Sequence, residues 1–303
     1  MKKLVGLCGL ILLLSACKKD TVAIVQKDCG QLSTTHVSGN NKRILFLGLD
    51  GTRTDALLAA NTPTIDSLAN AGLRHWHVDR GPNTVSVPGW STILHGVMPA
   101  KHGLTVNDFT GNHYDEYPDM LSYIGNATSG LNLYTISHWQ GFLDITAGQN
   151  YCYAAGNDDE LTAKANILLT SFNPDVLLVH FDAPDDEGHS TGFSPDNAAY
   201  LAAIERCDKN IKQILEKVKY REQTTNEQWM VVMCTDHGGE GTGHGGQDDL
   251  PQTRYVWYIV TGQGITPAEL TTPSANTDLM PTMLKHMGIA ADTSWHLDGT
   301  NLY

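Results

Sequence analysis

Four apolar runs frame the chain: residues 43–49 (RILFLGL), 175–181 (DVLLVHF), 229–234 (WMVVMC) and 255–260 (YVWYIV). Each has the length of one strand and is apolar at nearly every position, the pattern of strands covered on both faces of a sheet. Residues 131–136 form a further strand candidate. Between these runs stand helix signals. Thr62 and Pro63 supply a cap and a first helical residue, with Gly72 placed to end that helix. Pro88 sets the first turn of a helix running through Ile93. Asp158 and Asp159 cap a helix over about 160–171, which Asn173-Pro174 breaks. Leu201, Ile204, Ile211, Leu215 and Val218 recur by helical turns within 195–220, with Cys207 on the same face, and 277–287 reads as a helix stopped by Gly288. Strands alternating with helices predict an α/β fold, a mostly parallel central sheet with helices on both faces.

Chemistry gathers where three of these strands end. Asp50-Gly51 follows the first, Asp182, Asp185 and His189 follow 175–181, and Asp236-His237 follows 229–234, leading into a glycine-dense loop, 238–246, that holds Glu240, Thr242 and His244. Open α/β sheets place ligands outside the carboxyl ends of their strands. If these strands are neighbours, Asp50, Asp185, His189, Asp236, His237 and His244 offer six oxygen and nitrogen donors, enough for two zinc ions with open positions left over. Such sets also accept Mn²⁺. The plainer alternative is a glycine-rich turn with exposed histidines. Ser86, two residues before Pro88, falls at a helix N-terminus, where backbone N–H groups and the dipole favour an anion; the alternative there is a simple cap. Two ions roughly 4 Å apart clamp the attacking and leaving oxygens of a displacement at phosphorus, with Ser86 as the attacking group.

Composition narrows the setting. With 303 residues, 41% of them hydrophobic, one core over 42–303 is expected. Residues 1–16 with Cys17 (MKKLVGLCGLILLLSAC) resemble a bacterial lipoprotein signal peptide, which implies lipid on Cys17, a polar tether over 17–41 and an exported, membrane-anchored protein in the periplasm or on the cell surface. The formal charge of −13 removes any general attraction for nucleic acid polymers, which are held through clustered Lys and Arg. Cys29, Cys152, Cys207 and Cys234 allow three pairings, and their spacing chooses none.

The ordered motifs resemble the nucleotide pyrophosphatase/phosphodiesterase branch of the alkaline phosphatase superfamily. They are Asp50-Gly51 with Arg53, Ser86-Val87-Pro88, His102-Gly103 with Asn107, Pro184-Asp185 with Gly188-His189, Asp236-His237-Gly238 and His244-Gly245, spread over roughly 44–303. The resemblance implies one zinc on Asp185, His189 and His244, and another on Asp50, Asp236 and His237 with Ser86 as exchangeable ligand. It further implies a phosphoseryl intermediate, with Asn107 donating to a non-bridging phosphoryl oxygen. Two departures count. Nucleotide-cleaving members usually carry Thr followed by a base-stacking aromatic, whereas Val87 follows Ser86 here. Gly89-Trp90 after Pro88 breaks the signature that sulfatases need. The expected activity is zinc-dependent cleavage of a small phosphodiester. The alternatives are a phosphomonoesterase, a sulfatase-like hydrolase, or a non-catalytic surface lipoprotein.

Overall fold

The structure is a computed structural model, described over residues 30–303 with 36 and 38 left out. The signal segment, Cys17 and Cys29 lie outside the described residues. Eight strands form one sheet: β1 (Lys42–Leu49), β2 (Leu73–Asp79), β3 (Leu133–Ser137), β4 (Tyr151–Ala154), β5 (Val176–Phe181), β6 (Gln228–Cys234), β7 (Tyr255–Gly262) and β8 (Ala268–Glu269). Their spatial order is β4-β3-β5-β1-β6-β7-β2-β8, with β7 antiparallel to both neighbours and the remaining pairs parallel. Hence β5, β1 and β6 lie side by side at the centre, and their carboxyl ends share one edge.

The helices are α1 (Thr54–Ala59), α2 (Pro63–Ala71), α3 (Ser86–His95), α4 (Pro99–His102), α5 (Met120–Ala127), α6 (Gln140–Ile145), α7 (Asp158–Ser171), α8 (Ala183–Thr191), α9 (Ala198–Thr224), α10 (Pro251–Arg254) and α11 (Leu279–His286). Alternation along β1 divides the core. Leu45, Leu47 and Leu49 pack with α1, α2, α7 and α9, while Ile44 and Phe46 pack with α3, α5, α6 and α11.

Two local expectations are corrected. Thr62 precedes α2, but its hydroxyl makes no cap; Asp208 of α9 accepts from Thr64 N and Ile65 N instead, at 2.9 and 2.8 Å. Asn157, not Asp158 or Asp159, caps α7 by accepting from Glu160 N. Strand β2 had no apolar run to mark it, since LRHWHVD mixes imidazoles and charges with its apolar residues, and β4 (YCYA) is only four residues long. The described end of the expected tether is held against the domain: Ser33 N donates to Tyr134 Oη, Asn132 Nδ2 to Thr35 O, and Leu32 packs on the core. Cys152 is disulfide-bonded, while Cys207 and Cys234 are free and buried.

Candidate metal centre and nucleophile

Asp50 leaves the tip of β1 and turns through Gly51 at φ 61°, a left-handed conformation that glycine adopts without strain. A Cβ on Gly51 would stand 2.5 Å from Asp185 Oδ1, so the missing side chain also lets the two carboxylates approach. Asp185 comes from α8, which starts just past β5 with Pro184 in its first turn, and the i, i+4 spacing sets Asp185 and His189 on one helix face, 3.3 Å apart. The N-terminus of α8 is anchored by buried Asp158, whose carboxylate accepts from Asp182 N and Ala183 N. Asp236 and His237 leave β6. The loop that follows carries His244, and Arg53 pins that loop by donating to Gly239 O and Glu240 Oε2, and to Phe193 O beside it.

All six donors meet at this edge. Ligand atoms of Asp50, Asp236 and His237 lie within 4.8 Å of one another, as do those of Asp185, His237 and His244. His189 Nε2 lies 3.1 Å from His244 Nε2. Apart from His189, which is 37% exposed, every one of the six is buried.

The donor set fits divalent cations for a reason internal to this structure. His189, His237 and His244 each spend Nδ1 on a backbone carbonyl, of Thr242, Gly238 and Thr84 respectively. A carbonyl only accepts, so Nδ1 carries a proton, and Nε2 is the nitrogen turned toward the carboxylates, available as a ligand. His237 Nε2 thus faces Asp236 Oδ2 at 3.3 Å and Asp50 Oδ1 at 3.4 Å, while the two other Nε2 atoms face each other. Lone pairs this close repel unless a cation lies among them. Asp185 Oδ1 and Asp236 Oδ2 are buried without a hydrogen-bond partner, an expensive state that a metal ion relieves. A histidine whose second nitrogen is tied to a carbonyl is also the usual outer arrangement of a metal ligand.

The electrostatics agree. Burial, then the nearby charge of Asp50, pushes the Asp236 carboxyl well above its ordinary range. Burial would likewise raise Asp50, but the hydrogen bonds from His180 and Trp90 oppose it, and Asp50 is held below its ordinary range. Burial drives the His237 imidazole well down, toward the neutral form that ligates.

Ser86 opens α3 with Oγ 3.1 Å from His237 Nε2 and 3.4 Å from Asp50 Oδ1. Asn107 lies exposed across from it. Its Oδ1 accepts from Val87 N at 2.9 Å, and because that N–H only donates, the amide orientation is set and Nδ2 is turned to the other side as a donor. Val87 itself is buried and offers no stacking face. His102, from the same motif, is structural: Nδ1 accepts from Leu104 N and Nε2 bonds Thr92 Oγ1. Arg80 is fully buried and spends Nε on Asp236 O at 2.5 Å and Nη1 on Pro82 O, with burial lowering its pKa to about 10.

Two residues not singled out from sequence complete the site. His180 of β5 and Trp90 of α3 both donate to Asp50 Oδ2 at 3.0 Å, leaving Oδ1 toward Ser86 and His237. Gly48 makes room for Trp90; a Cβ there would lie 2.7 Å from the indole.

Human ectonucleotide pyrophosphatase/phosphodiesterase family member 5 is 25% identical over 232 residues, covering 68% of this chain and 47% of the relative. Mouse family member 3 is 22% identical over 222 residues, covering 66% and 25%. The chain therefore spans between a quarter and about half of these relatives. Among solved structures, murine ectonucleotide pyrophosphatase/phosphodiesterase 5 in complex with AMP superimposes with a TM-score of 0.66 at 15% identity, over 83% of this chain and 96% of that one. A 2-O GAG sulfatase gives 0.67 at 16%, over 87% and 73%, so the alkaline-phosphatase-like fold is shared across both activities. The sequence profile of the Type I phosphodiesterase / nucleotide pyrophosphatase family matches residues 44–256, and the chain belongs to that family.

Proposed function

We propose that this protein is a phosphodiesterase in which Ser86 attacks phosphorus, with two divalent cations, zinc by donor type, held by Asp185, His189 and His244 and by Asp50, Asp236 and His237. The observation that carries the proposal is the Ser86 hydroxyl set between His237 Nε2 and Asp50 Oδ1 beside buried carboxylate oxygens without partners. Bound there, divalent cations supply Lewis acidity, lowering the pKa of a hydroxyl and offsetting the charge of the phosphoryl group. The α3 N-terminus adds its dipole at the same point. Asp50 and His237 aim the Ser86 oxygen; Asn107 Nδ2 is the free donor for a non-bridging oxygen. As the Ser86–phosphorus bond forms, the bond to one alcohol breaks, and that alcohol leaves with the serine proton. Water then cleaves the phosphoseryl ester and restores the hydroxyl.

A diester is favoured over a monoester because a monoester brings a dianion, which enzymes usually meet with an arginine or a further ion. Arg80 is buried with Nε and Nη1 on backbone carbonyls, and Arg53 is buried and engaged by Phe193 O, Gly239 O and the carboxylates of Asp55 and Glu240. The test is kcat/KM for bis-p-nitrophenyl phosphate against p-nitrophenyl phosphate, with metal content measured on the same sample. A monoester preference of tenfold or more, about 1.4 kcal/mol, would overturn the assignment. We place the protein in the cell as an exported lipoprotein, on the strength of residues 1–17. Mass spectrometry of membrane-extracted protein tests this by locating acyl chains on Cys17.

A further inference from the structure

The segment that leads into the domain is fastened to the edge of the sheet opposite the metal donors. Strands β4, β3, β5, β1 and β6 run parallel, so their amino ends lie together, a strand's length from the carboxyl ends that carry the site. Residues 30–35 are tied at those amino ends. Gly30 approaches Asn150, the residue before β4, so closely that a Cβ would stand 2.2 Å from Asn150 O. Ser33 exchanges two bonds with Tyr134 Oη near the start of β3, donating from N at 3.1 Å and accepting at O at 3.0 Å. Thr35 O accepts from Nδ2 of Asn132, the residue before β3, at 2.8 Å, and Thr34 O from Nδ2 of Asn173, in the loop entering β5, at 2.5 Å. The attachment is also covalent. Cys152 of β4 is disulfide-bonded while Cys207 and Cys234 are free, so the partner of Cys152 precedes Gly30 in the sequence.

From this placement we infer that the metal centre faces away from the bilayer that holds the lipid, so that the protein works on phosphodiesters arriving by diffusion and not on lipid diesters of its own membrane. The inference rests on the phosphodiesterase reading and on lipid at Cys17, and names the substrate class within that reading. Twelve residues, 18–29, separate Cys17 from Gly30. Even fully extended, that many residues span only about 40 Å, and a coil of the same length averages about 20 Å from end to end. The eight residues of β1 alone stand about 26 Å tall, and the loops at both edges add to that height. To bring the site against the lipid, the chain from Cys17 would have to follow the outside of the domain from its amino edge past its carboxyl edge, at nearly full stretch. With the amino edge toward the bilayer it spans only the gap between them. Conformational entropy therefore favours the second orientation.

The experiment places the lipidated, metal-loaded protein on the outside of phosphatidylcholine vesicles that carry an acceptor dye on a fraction of the headgroups. A donor dye is attached to Gln263→Cys or to Asp196→Cys. Gln263 lies at the amino edge beside Lys42 and Gln228, which open β1 and β6. Asp196 lies at the carboxyl edge, between α9 and Phe193, whose N–H donates to Gly241 O of the glycine loop. Both positions are exposed, and the free Cys207 and Cys234 are buried out of reach of the dye. Energy transfer to the bilayer should be stronger from position 263 than from 196. Inserting about thirty Gly/Ser residues after Lys19, enough slack to let the domain turn over, should bring the two closer together. Bis-p-nitrophenyl phosphate should be cleaved with the same kcat/KM, within about threefold, on vesicles and in detergent. Equal transfer from the two positions, or stronger transfer from 196, would overturn the orientation, and so would a larger fall in kcat/KM on vesicles, because a site pressed to the bilayer is closed to solutes. Absence of turnover in both media would bring down the phosphodiesterase reading, while the transfer still reports the orientation. Absence of an acyl chain on Cys17 would bring down the anchor, and this inference with it.

Discussion

His180 Nε2 donates to Asp50 Oδ2 at 3.0 Å, and the ring is held for that purpose, stacked on Phe142 at 4.4 Å between centroids and edge-on to Trp90 at 5.1 Å. With Trp90 Nε1 on the same oxygen, one side of the carboxylate is saturated and Oδ1 is left for a metal ion. Removing an outer partner of a metal ligand typically costs 10–100-fold in affinity. His180→Phe should therefore weaken metal binding at the Asp50 site by about that factor. His180→Gln, which keeps a donor, should recover part of it. Chelator competition reads both, and equal affinity in all three proteins would remove His180 from the positioning role.

Metal removal should destabilise the fold, because Asp50, Asp185 and Asp236 then face one another and the imidazole lone pairs with no cation between them. Saturation at a hundredfold excess over Kd is worth about 2.7 kcal/mol per site. Calorimetry of dialysed protein should show Tm rising as Zn²⁺ is restored. A Tm that does not move with metal contradicts the ligand assignment.

The ring of Phe193 packs between α8 and the glycine loop, edge-on to His189 and His244. A Cβ on Gly188 would stand 2.2 Å from the Phe193 ring, and one on Gly239 2.5 Å. Gly188→Ala gains up to about 1 kcal/mol of helix propensity, yet overpacking costs about 1–3 kcal/mol, so the net should be destabilising. Phe193→Leu in the Gly188→Ala background should recover much of the loss, a coupling that urea denaturation of the four proteins of the cycle measures. Additive effects would show that the ring does not set this spacing.

The site residues legible from sequence were those that break a pattern. Asp50, Asp185 and Asp236 each stand just past an apolar run, and Ser86 was marked by Pro88. The sheet joins those strands as neighbours, which spacing along the chain required but did not dictate. His180 was hidden inside an apolar stretch, where a lone polar atom reads as a tolerated exception, and Trp90 because an indole at the start of a helix reads as core. The cap of α2 was beyond reach for a different reason: Asp208 lies 144 residues from Thr64 in the chain, and only packing of α9 on α2 brings it there. The reversed direction of β7 had no signal either, because an apolar run carries no polarity.

Turnover of bis-p-nitrophenyl phosphate by Ser86→Ala, with metal content and Tm measured on the same preparation, tests the central claim most directly. Ser86 is small and is the first residue of α3, so its loss should leave the fold and the six metal donors in place. A drop in kcat of roughly a thousandfold or more with both ions retained is the predicted result, since the group that forms the covalent bond is gone. Near-wild-type kcat in a fully metal-loaded variant would contradict it, and would leave Ser86 as no more than the first residue of a helix.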